Sequence, residues 1–182
     1  MKHRILTALL LVGLLFTLSC GSGETPADSG ETTGTEAPAA DVLVLVGAGM
    51  ACRITVPAGD SNALVVAYQL RTAILEATGV KLPVGKDSEP AQGCEILVGK
   101  TNRAASQEAY RSIGGAGDWL CAVSDGSLAL AGGSTDALKT AMERLLADGL
   151  SGGGLSLPKA YAKGENGRYC TILRDGASDY VL

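Results

Sequence analysis

Two basic and two hydrogen-bonding side chains stand together at Lys100, Thr101, Asn102 and Arg103. They follow the apolar run 95–98, which has the composition of a buried strand, and they precede a helical pattern. Ligands of α/β proteins often bind where a strand ends and a helix begins. Two cations beside a helix N-terminus have the chemistry to hold an acidic group of a sugar. The alternative, which we favour, is that Thr101 or Asn102 caps the helix and that both cations are solvated.

Trp119 is the fifth candidate ligand-contact residue. Aromatic rings offer flat apolar faces on which a ligand can stack. Aromatic residues make up only 4% of the chain, and Trp119 and a few tyrosines are the available rings. Their scarcity weakens the prediction of a carbohydrate-binding surface.

Histidine chemistry is excluded from the folded part, because the single histidine, His3, lies in a predicted targeting segment. This rules out serine–histidine–aspartate and cysteine–histidine nucleophiles, histidine general bases and histidine-bound zinc. The acidic residues fall mostly at predicted caps, turns and solvated helix faces, without the paired arrangement of a glycosidase. We expect no catalytic residue, no metal site and no cofactor, and therefore no enzyme activity.

The first 19 residues have the layout of a secretory signal peptide. Lys2 and Arg4 form its positive region, an apolar run covers residues 5–18, and the small residue Ser19 precedes Cys20. The apolar run is shorter than the roughly 20 residues that span a bilayer. We therefore expect this segment to direct export and to be removed.

The stretch FTLSC at residues 16–20 resembles a bacterial lipobox. Thr17 stands where leucine is commonest, which the looser form of the pattern accepts. The resemblance implies that Cys20 becomes the new N-terminus and carries a lipid on its sulfur. The alternative is an ordinary secretory signal with an incidental cysteine. We expect an extracytoplasmic protein whose partner is the bacterial cell membrane, bound through lipidated Cys20.

Residues 20–41 have the composition of a disordered acidic tether. After Cys20 they are Gly, Ser, Thr, Pro, Ala and acidic residues, with no lysine or arginine. Signal and tether account for most of the net charge of −4, since 14 acidic and 13 basic residues follow from Val42 onward. This near-neutral remainder lacks the basic surface that nucleic-acid binding requires.

Residues 42–182 are predicted to form one α/β domain, a single small mixed β-sheet with about three helices packed on it. A hairpin at Asp125 and Gly126 makes the sheet mixed. The predicted strands cover residues 42–46, 53–57, 95–98, 119–123, 128–131 and 169–173, and the first two helices cover 63–78 and 102–112. Ser134 caps a third helix, which Gly149 and Leu150 close.

The first predicted helix has signals at both ends. The cluster 60–62 offers an N-cap, and Gly79 fits the position after the last turn. Leu64, Val65, Tyr68 and Leu75 widen its apolar face, so we expect this helix to be largely buried.

Four cysteines lie within the predicted domain, at positions 52, 94, 121 and 170. In an exported chain they could form two disulfides, in one of three connectivities. The alternative, slightly favoured, is that they are small reduced residues of the core. The sequence leaves their disulfide state open.

Three segments together resemble a known family: ILEATGVKLP within 73–83, EILVGKTNR at 95–103 and SLALAGGS at 127–134. They are similar to the N-terminal accessory domain that precedes the catalytic barrel in glycoside hydrolase family 20 hexosaminidases and in α-glucuronidases. The resemblance covers about 42–149, and secreted bacterial lipoproteins also look like this. It implies a mixed sheet with helices and no catalytic residues, since the acid pair belongs to the barrel.

We therefore expect a surface-tethered lipoprotein with a non-catalytic accessory domain, in a structural or carbohydrate-contact role. One alternative is the N-terminal fragment of a secreted glycoside hydrolase whose barrel lies beyond the chain end. Residues 175–182 are accordingly expected to be either a short terminal strand or the point where a reading frame is truncated. Another alternative is a solute- or partner-binding lipoprotein.

Overall fold

The computed structural model describes residues 41–167, 170–174 and 179–181, with the side chains of 41–167. The predicted signal peptide, the lipidation site Cys20 and the tether up to residue 40 lie outside the described residues. None of the described helices is long and apolar enough to span a membrane.

The described residues form three α-helices and twelve β-strands. The helices are α1 (Ser61–Thr78), α2 (Ala104–Tyr110) and α3 (Thr135–Gly149). The strands are β1 (Val42–Gly47), β2 (Met50–Ala51), β3 (Arg53–Val56), β4 (Val84–Lys86), β5 (Glu95–Val98), β6 (Trp119–Ser124), β7 (Ser127–Gly132), β8 (Leu150–Ser151), β9 (Gly154–Pro158), β10 (Ala162–Asn166), β11 (Cys170–Arg174) and β12 (Asp179–Val181). The predicted α/β class with three helices is confirmed.

The strands form two sheets, so the prediction of a single sheet is wrong. The large sheet has the order β12-β11-β10-β6-β7-β5-β3-β4. Its β4, β3, β5 and β7 are parallel, and the remaining pairs are antiparallel. The small sheet has the order β2-β1-β9-β8. The first predicted strand belongs to this small sheet because β1 pairs with β9, with Val42 opposite Pro158.

The helices cover both faces of the large sheet. Successive side chains of a strand point to opposite faces. On β7, Leu128 and Leu130 join the main core with α1, α3 and the small sheet. Ala129 and Ala131 pack in a second cluster with Ala109 of α2. Helices α1 and α3 therefore lie on one face and the short α2 lies on the other.

The ends of α1 follow the sequence signals. Asp60 is the N-cap, and its carboxylate accepts hydrogen bonds from two backbone amides of the first turn, each at 3.0 Å. Gly79 follows the last residue with a φ of +74°, a left-handed conformation that glycine adopts without strain. Both cap predictions for α1 are confirmed.

Helix α3 ends at the predicted position, but the predicted glycine cap is wrong. Ser134 caps its start as predicted, accepting a hydrogen bond from the Ala137 amide. Gly149 is still helical, and Leu150 is extended (φ −76°, ψ 118°). The chain passes from α3 straight into β8, so it makes no left-handed turn there.

The hairpin predicted at Asp125 and Gly126 is confirmed. Both residues have positive φ, 50° and 72°, as a type I′ turn requires. The turn pairs β6 with β7 from Ser124 and Ser127 onward.

Cys52 and Cys94 form a disulfide, with their Cα atoms 4.9 Å apart. The favoured interpretation of reduced core thiols is therefore wrong for this pair. Cys121 is a free, buried cysteine, as that interpretation expected. The side chain of Cys170 lies outside the described residues.

Helix α1 is less buried than predicted. Its core face consists of Ala63, Val66, Ala67, Leu70 and Ile74. Val65, Tyr68 and Leu75, which were expected to widen that face, are 51%, 43% and 38% exposed. Apolar residues on several faces of α1 predicted burial on all of them, but the sequence pattern does not show whether the rest of the chain covers each face.

Candidate functional site

The carboxyl ends of β3 and β5 flank the crevice where a ligand would be expected. These neighbouring strands are parallel. The chain leaves β3 toward α1 on one face and leaves β5 toward α2 on the other. In open α/β sheets such a switch point leaves a crevice that binds ligands. The predicted candidates Lys100 to Arg103 lie on the β5 side of it.

The carboxylate of Asp87 bridges the two loops at this crevice. Its Oδ1 accepts a hydrogen bond from the backbone amide of Ala58, after β3, at 2.9 Å. Its Oδ2 accepts one from the backbone amide of Asn102, after β5, also at 2.9 Å. Backbone amides of this kind are what a bound anion would use. The buried side chain of Asp87 takes the place of such an anion.

The segment from Lys100 to Asn102 serves mainly to hold this loop. Thr101 is fully buried, and its amide donates to Ser106 Oγ at 2.9 Å. Asn102 donates from Nδ2 to the backbone oxygen of Asp87 at 2.9 Å. Lys100 is exposed, with its Nζ 6.0 Å from the centre of the Tyr110 ring. Lys100 and Asn102 are both exposed to solvent, whereas Thr101 is not.

Arg103 occupies the N-cap position of α2, which begins two residues later than predicted. Neither Thr101 nor Asn102 is therefore the cap. The guanidinium makes five hydrogen bonds, to both Glu95 carboxylate oxygens, the backbone oxygens of Asp87 and Glu89, and Asn102 Oδ1. A guanidinium has five N–H donors. Arg103 is thus fully engaged within the protein, in contrast to the solvated cation that we favoured.

Glu95 is the buried partner of Arg103. Their side chains are 3% and 17% exposed, and Arg103 Nε lies 2.8 Å from Glu95 Oε2. Thr55 donates a hydrogen bond to Glu95 Oε1 at 2.9 Å. Burial alone would raise the pKa of Glu95, but the hydrogen bonds from Arg103 and Thr55 and the guanidinium charge outweigh it and lower that pKa. Glu95 is therefore a paired carboxylate at neutral pH and not a poised general acid.

Arg53 closes the outer edge of the large sheet. Its guanidinium lies across Gly85 of β4 and reaches the backbone oxygen of Lys86 at 3.3 Å and Glu89 Oε2 at 2.7 Å. Glu89 in turn accepts a hydrogen bond from the Lys86 amide. That bond, with the charge of Arg53, lowers the pKa of Glu89 despite some desolvation. Side chains thereby occupy backbone groups that an edge strand would otherwise offer to another strand.

Replacing Gly85 with alanine should dislodge Arg53. A Cβ at this position would lie 1.8 Å from Arg53 Nη2, so the guanidinium must move and lose its contacts. Because the displaced atoms are the far end of a flexible side chain and its partner Glu89 is half exposed, we expect the free energy of unfolding to fall by about 1 kcal/mol. Urea titration measures this change. Gly117→Ala is the matched control, since a Cβ there meets nothing within 4 Å and this glycine does not have a left-handed φ; an unchanged stability for Gly85→Ala would contradict the packing.

Trp119 does not join the crevice residues. It is buried in the main core, on the face that packs against α3. Its Nε1 lies 3.4 Å from Glu165 Oε2 on β10, a long hydrogen bond. The structure therefore separates Trp119 from the Lys100–Arg103 segment and places its ring within the core.

A cavity of about 360 Å³ lies on the α2 face of the large sheet, between this helix and β6. Its walls combine small apolar residues with a few polar ones. They are Ala105, Glu108, Ala109, Ser112, Leu120, Ala122, Val123, Ser124, Lys159, Ala160, Tyr161 and Ala162. The volume is within the range of small-ligand sites. The charged residues at its rim are already paired, Glu108 with Arg111 and Lys159 with Asp41.

A partly buried polar cluster lies next to Cys121 on the α3 face. Tyr161 donates a hydrogen bond to Asp148 Oδ2 at 2.6 Å, and Lys163 Nζ lies 2.9 Å from the same oxygen. Burial, followed by the negative charge of Asp148, raises the pKa of the Cys121 thiol. A thiol that is fully buried and protonated is a poor nucleophile. This cluster therefore joins α3 to β10 and has no reactive group to offer.

Sequence reasoning missed Asp87, Glu95 and Arg53 as the residues that organise this region. A charged residue at the start of the apolar strand EILV was the one available signal. Among residues 41–167, no three carboxylate, cysteine or histidine side chains converge as a metal site would require. Fold and crevice together define an α/β domain whose expected ligand position is occupied by its own side chains. No protein-family model matches the sequence, and no curated protein matches it.

Proposed function

We propose that this chain is an exported, lipid-anchored bacterial protein carrying a non-catalytic accessory domain of the glycoside-hydrolase type. Its role is structural support or contact with carbohydrate. Support for the family comes from the three sequence segments and from an α/β fold of the kind that the resemblance implies.

The observation that carries the non-catalytic role is the closed crevice between β3 and β5. Asp87 binds the loop amides there, and Arg103 uses all five of its donors on protein atoms. Glu95 is buried and ion-paired. Catalysis requires groups that can reach a substrate with a free donor, acceptor or proton, and these residues instead satisfy one another.

The Cys52–Cys94 disulfide supports export. Structural disulfides form and persist in oxidising compartments and are rare in the cytosol of most bacteria. The signal-like segment and Cys20 support export independently, because they are sequence features of targeting, whereas the disulfide is a feature of the folded domain. Together they favour an extracytoplasmic location with Cys20 as the lipid anchor.

Labelling cells with a fatty acid tests the anchor. The full chain should incorporate the label and fractionate with membranes, and Cys20→Ala should do neither. Cys121→Ser is the matched control because this cysteine is buried in the fold, and it should be labelled like the unmodified chain. Equal labelling of Cys20→Ala would overturn the lipoprotein assignment.

A glycan array tests the carbohydrate-contact version of the role. The full chain should bind a subset of the glycans on the array. If it binds none, the carbohydrate-contact role is excluded and the structural role remains.

The alternative that the chain is an enzyme fragment predicts an in-frame catalytic barrel downstream of residue 182. Sequencing the coding region beyond that codon distinguishes the two.

The cavity beside α2 is the observation that favours the solute-binding alternative. Ala122 and Ala162 form part of its lining, so Ala122→Leu would fill it from the sheet side. A solute that stabilises the unmodified chain but not this variant in a thermal-shift screen would favour that alternative over the accessory domain.

A further inference from the structure

Helix α1 has an exposed stripe of three apolar residues and one threonine, separate from its core face. Val65, Tyr68, Thr72 and Leu75 follow one another at intervals of three, four and three residues. All four are exposed. Apolar residues at alternating three- and four-residue intervals occupy positions a and d of a heptad, the pattern by which one helix packs against another.

The composition of α1 supports a second packing partner. Arg71 and Glu76 are the only charged residues among its 18. A helix with so little charge is typical of one that is covered on all sides. Its core face uses Val66, Leu70 and Ile74, so the sheet and α3 leave the stripe uncovered. A shallow apolar trough runs beside Tyr68 and Thr72.

We propose that the stripe is a self-association surface, on which α1 pairs in parallel with α1 of a second copy of this chain. Val65 and Thr72 would meet their counterparts at the a positions, and Tyr68 and Leu75 would meet theirs at the d positions. Branched residues at a with leucine at d favour two-stranded parallel pairs. The stripe has β-branched residues at both a positions and Leu75 at one d position.

Charge complementarity sets the parallel orientation. With Val65 at a, Arg71 is at position g and Glu76 is at position e, five residues later. In a parallel pair the g residue of one helix lies beside the following e residue of its partner, whereas in an antiparallel pair g lies beside g. Arg71 of each copy therefore reaches Glu76 of the other. Glu76 has no partner among the described residues, and the Arg71 guanidinium rests 4.6 Å from the Tyr68 ring centre.

The pairing is weak in dilute solution and is promoted by a shared surface. The stripe rises only about 15 Å along the helix. A contact of this length is too short to bury the roughly 1,200–2,000 Å² of surface that stable complexes bury. A parallel two-fold pair directs both tethers to the same side. Two chains anchored in one membrane would meet at a high effective concentration. This last point alone rests on the proposed lipid anchor.

Disulfide trapping of the full chain tests the pairing. In a parallel pair, Thr72→Cys brings two identical a positions together, so mild oxidation of the purified chain in detergent should give a covalent dimer. Ala77→Cys is the matched control, since this exposed residue lies off the stripe on the same helix. The unmodified chain controls for its native cysteines. Dimer yields from Thr72→Cys no higher than from Ala77→Cys would overturn the proposal.

Charge reversal tests the orientation independently. Arg71→Glu or Glu76→Arg alone should reduce trapping of the Thr72→Cys chain at least about tenfold, because like charges then face each other. The double reversal should restore it. Failure of the double reversal to restore trapping would exclude the parallel pair. Repeating the trapping with Cys20→Ala in detergent separates the two proposals, since the pairing should persist there even if the anchor is lost.

Discussion

Replacing both Cys52 and Cys94 with alanine should lower the free energy of unfolding by about 4 kcal/mol. The disulfide joins residues 42 apart in sequence, and that segment includes the whole of α1 and β4. Cross-linking so long a segment restricts the unfolded chain, and removing the link restores that freedom. The two cysteines precede the neighbouring strands β3 and β5, so their loss also weakens the start of the parallel pairing.

Urea unfolding with and without a reductant measures this effect. The reduced unmodified chain should unfold near the midpoint of the double variant, and the double variant should be insensitive to reductant. Cys121→Ala is the matched control, because it removes a buried cysteine but keeps the disulfide, so the reductant should still shift its midpoint. An unmodified chain that ignores the reductant would contradict a stabilising role of the disulfide.

Three of the four parallel strands of the large sheet, β3, β5 and β7, could be predicted because their signals are local, whereas the three-residue β4 was missed. The apolar strand β5 was predicted with the observed bounds. Asp60 and Gly79 mark the ends of α1 through the conformations that their own side chains permit. Each of these features depends on residues close together in sequence, which a pattern can read.

Apart from β1, the strands of the small sheet escaped prediction, as did β10, because tertiary contacts create them. Strands β2 and β8 have two residues each, and β9 follows a run of glycines. Strand β10 is AKGEN, a composition typical of a loop. Gly164 makes its pairing possible, since a Cβ there would lie 2.5 Å from the backbone oxygen of Trp119 on β6. No local pattern in AKGEN reveals that neighbour.

The residues around the crevice were partly found, but their roles were not. The sequence placed Lys100 to Arg103 at the end of β5, where the structure has them. It could not show that Asp87, fifteen residues away, would bind the loop amides first. The contact depends on the chain returning from β4 across β3 to β5, a long-range feature of topology. The residue types at 100–103 suggested contact with a ligand, whereas in the fold Asn102 and Arg103 contact Asp87 and Glu95 of the same chain.

Arg103→Ala should destabilise the fold by about 3–5 kcal/mol at neutral pH, the usual cost of leaving one member of a buried ion pair without its partner. The substitution removes five hydrogen bonds that hold the β4–β5 connection. It also leaves the buried carboxylate of Glu95 without its charged partner. Arg111→Ala, at the opposite end of α2, is the matched control. Arg111 and Glu108 form an exposed pair, so its loss should cost less than about 1 kcal/mol.

The pH dependence separates the ion pair from the packing of the arginine side chain. Since the fold lowers the pKa of Glu95, the pair contributes stability above the ordinary value of 4.5, and this contribution is lost as the pH falls through the lowered pKa. In Arg103→Ala the contribution is absent. The unfolding free energies of the two chains, measured by urea titration from pH 7 to pH 3, should therefore converge toward acid. Parallel curves over that range would show that Arg103 acts through packing, because lost packing costs the same in both protonation states of Glu95.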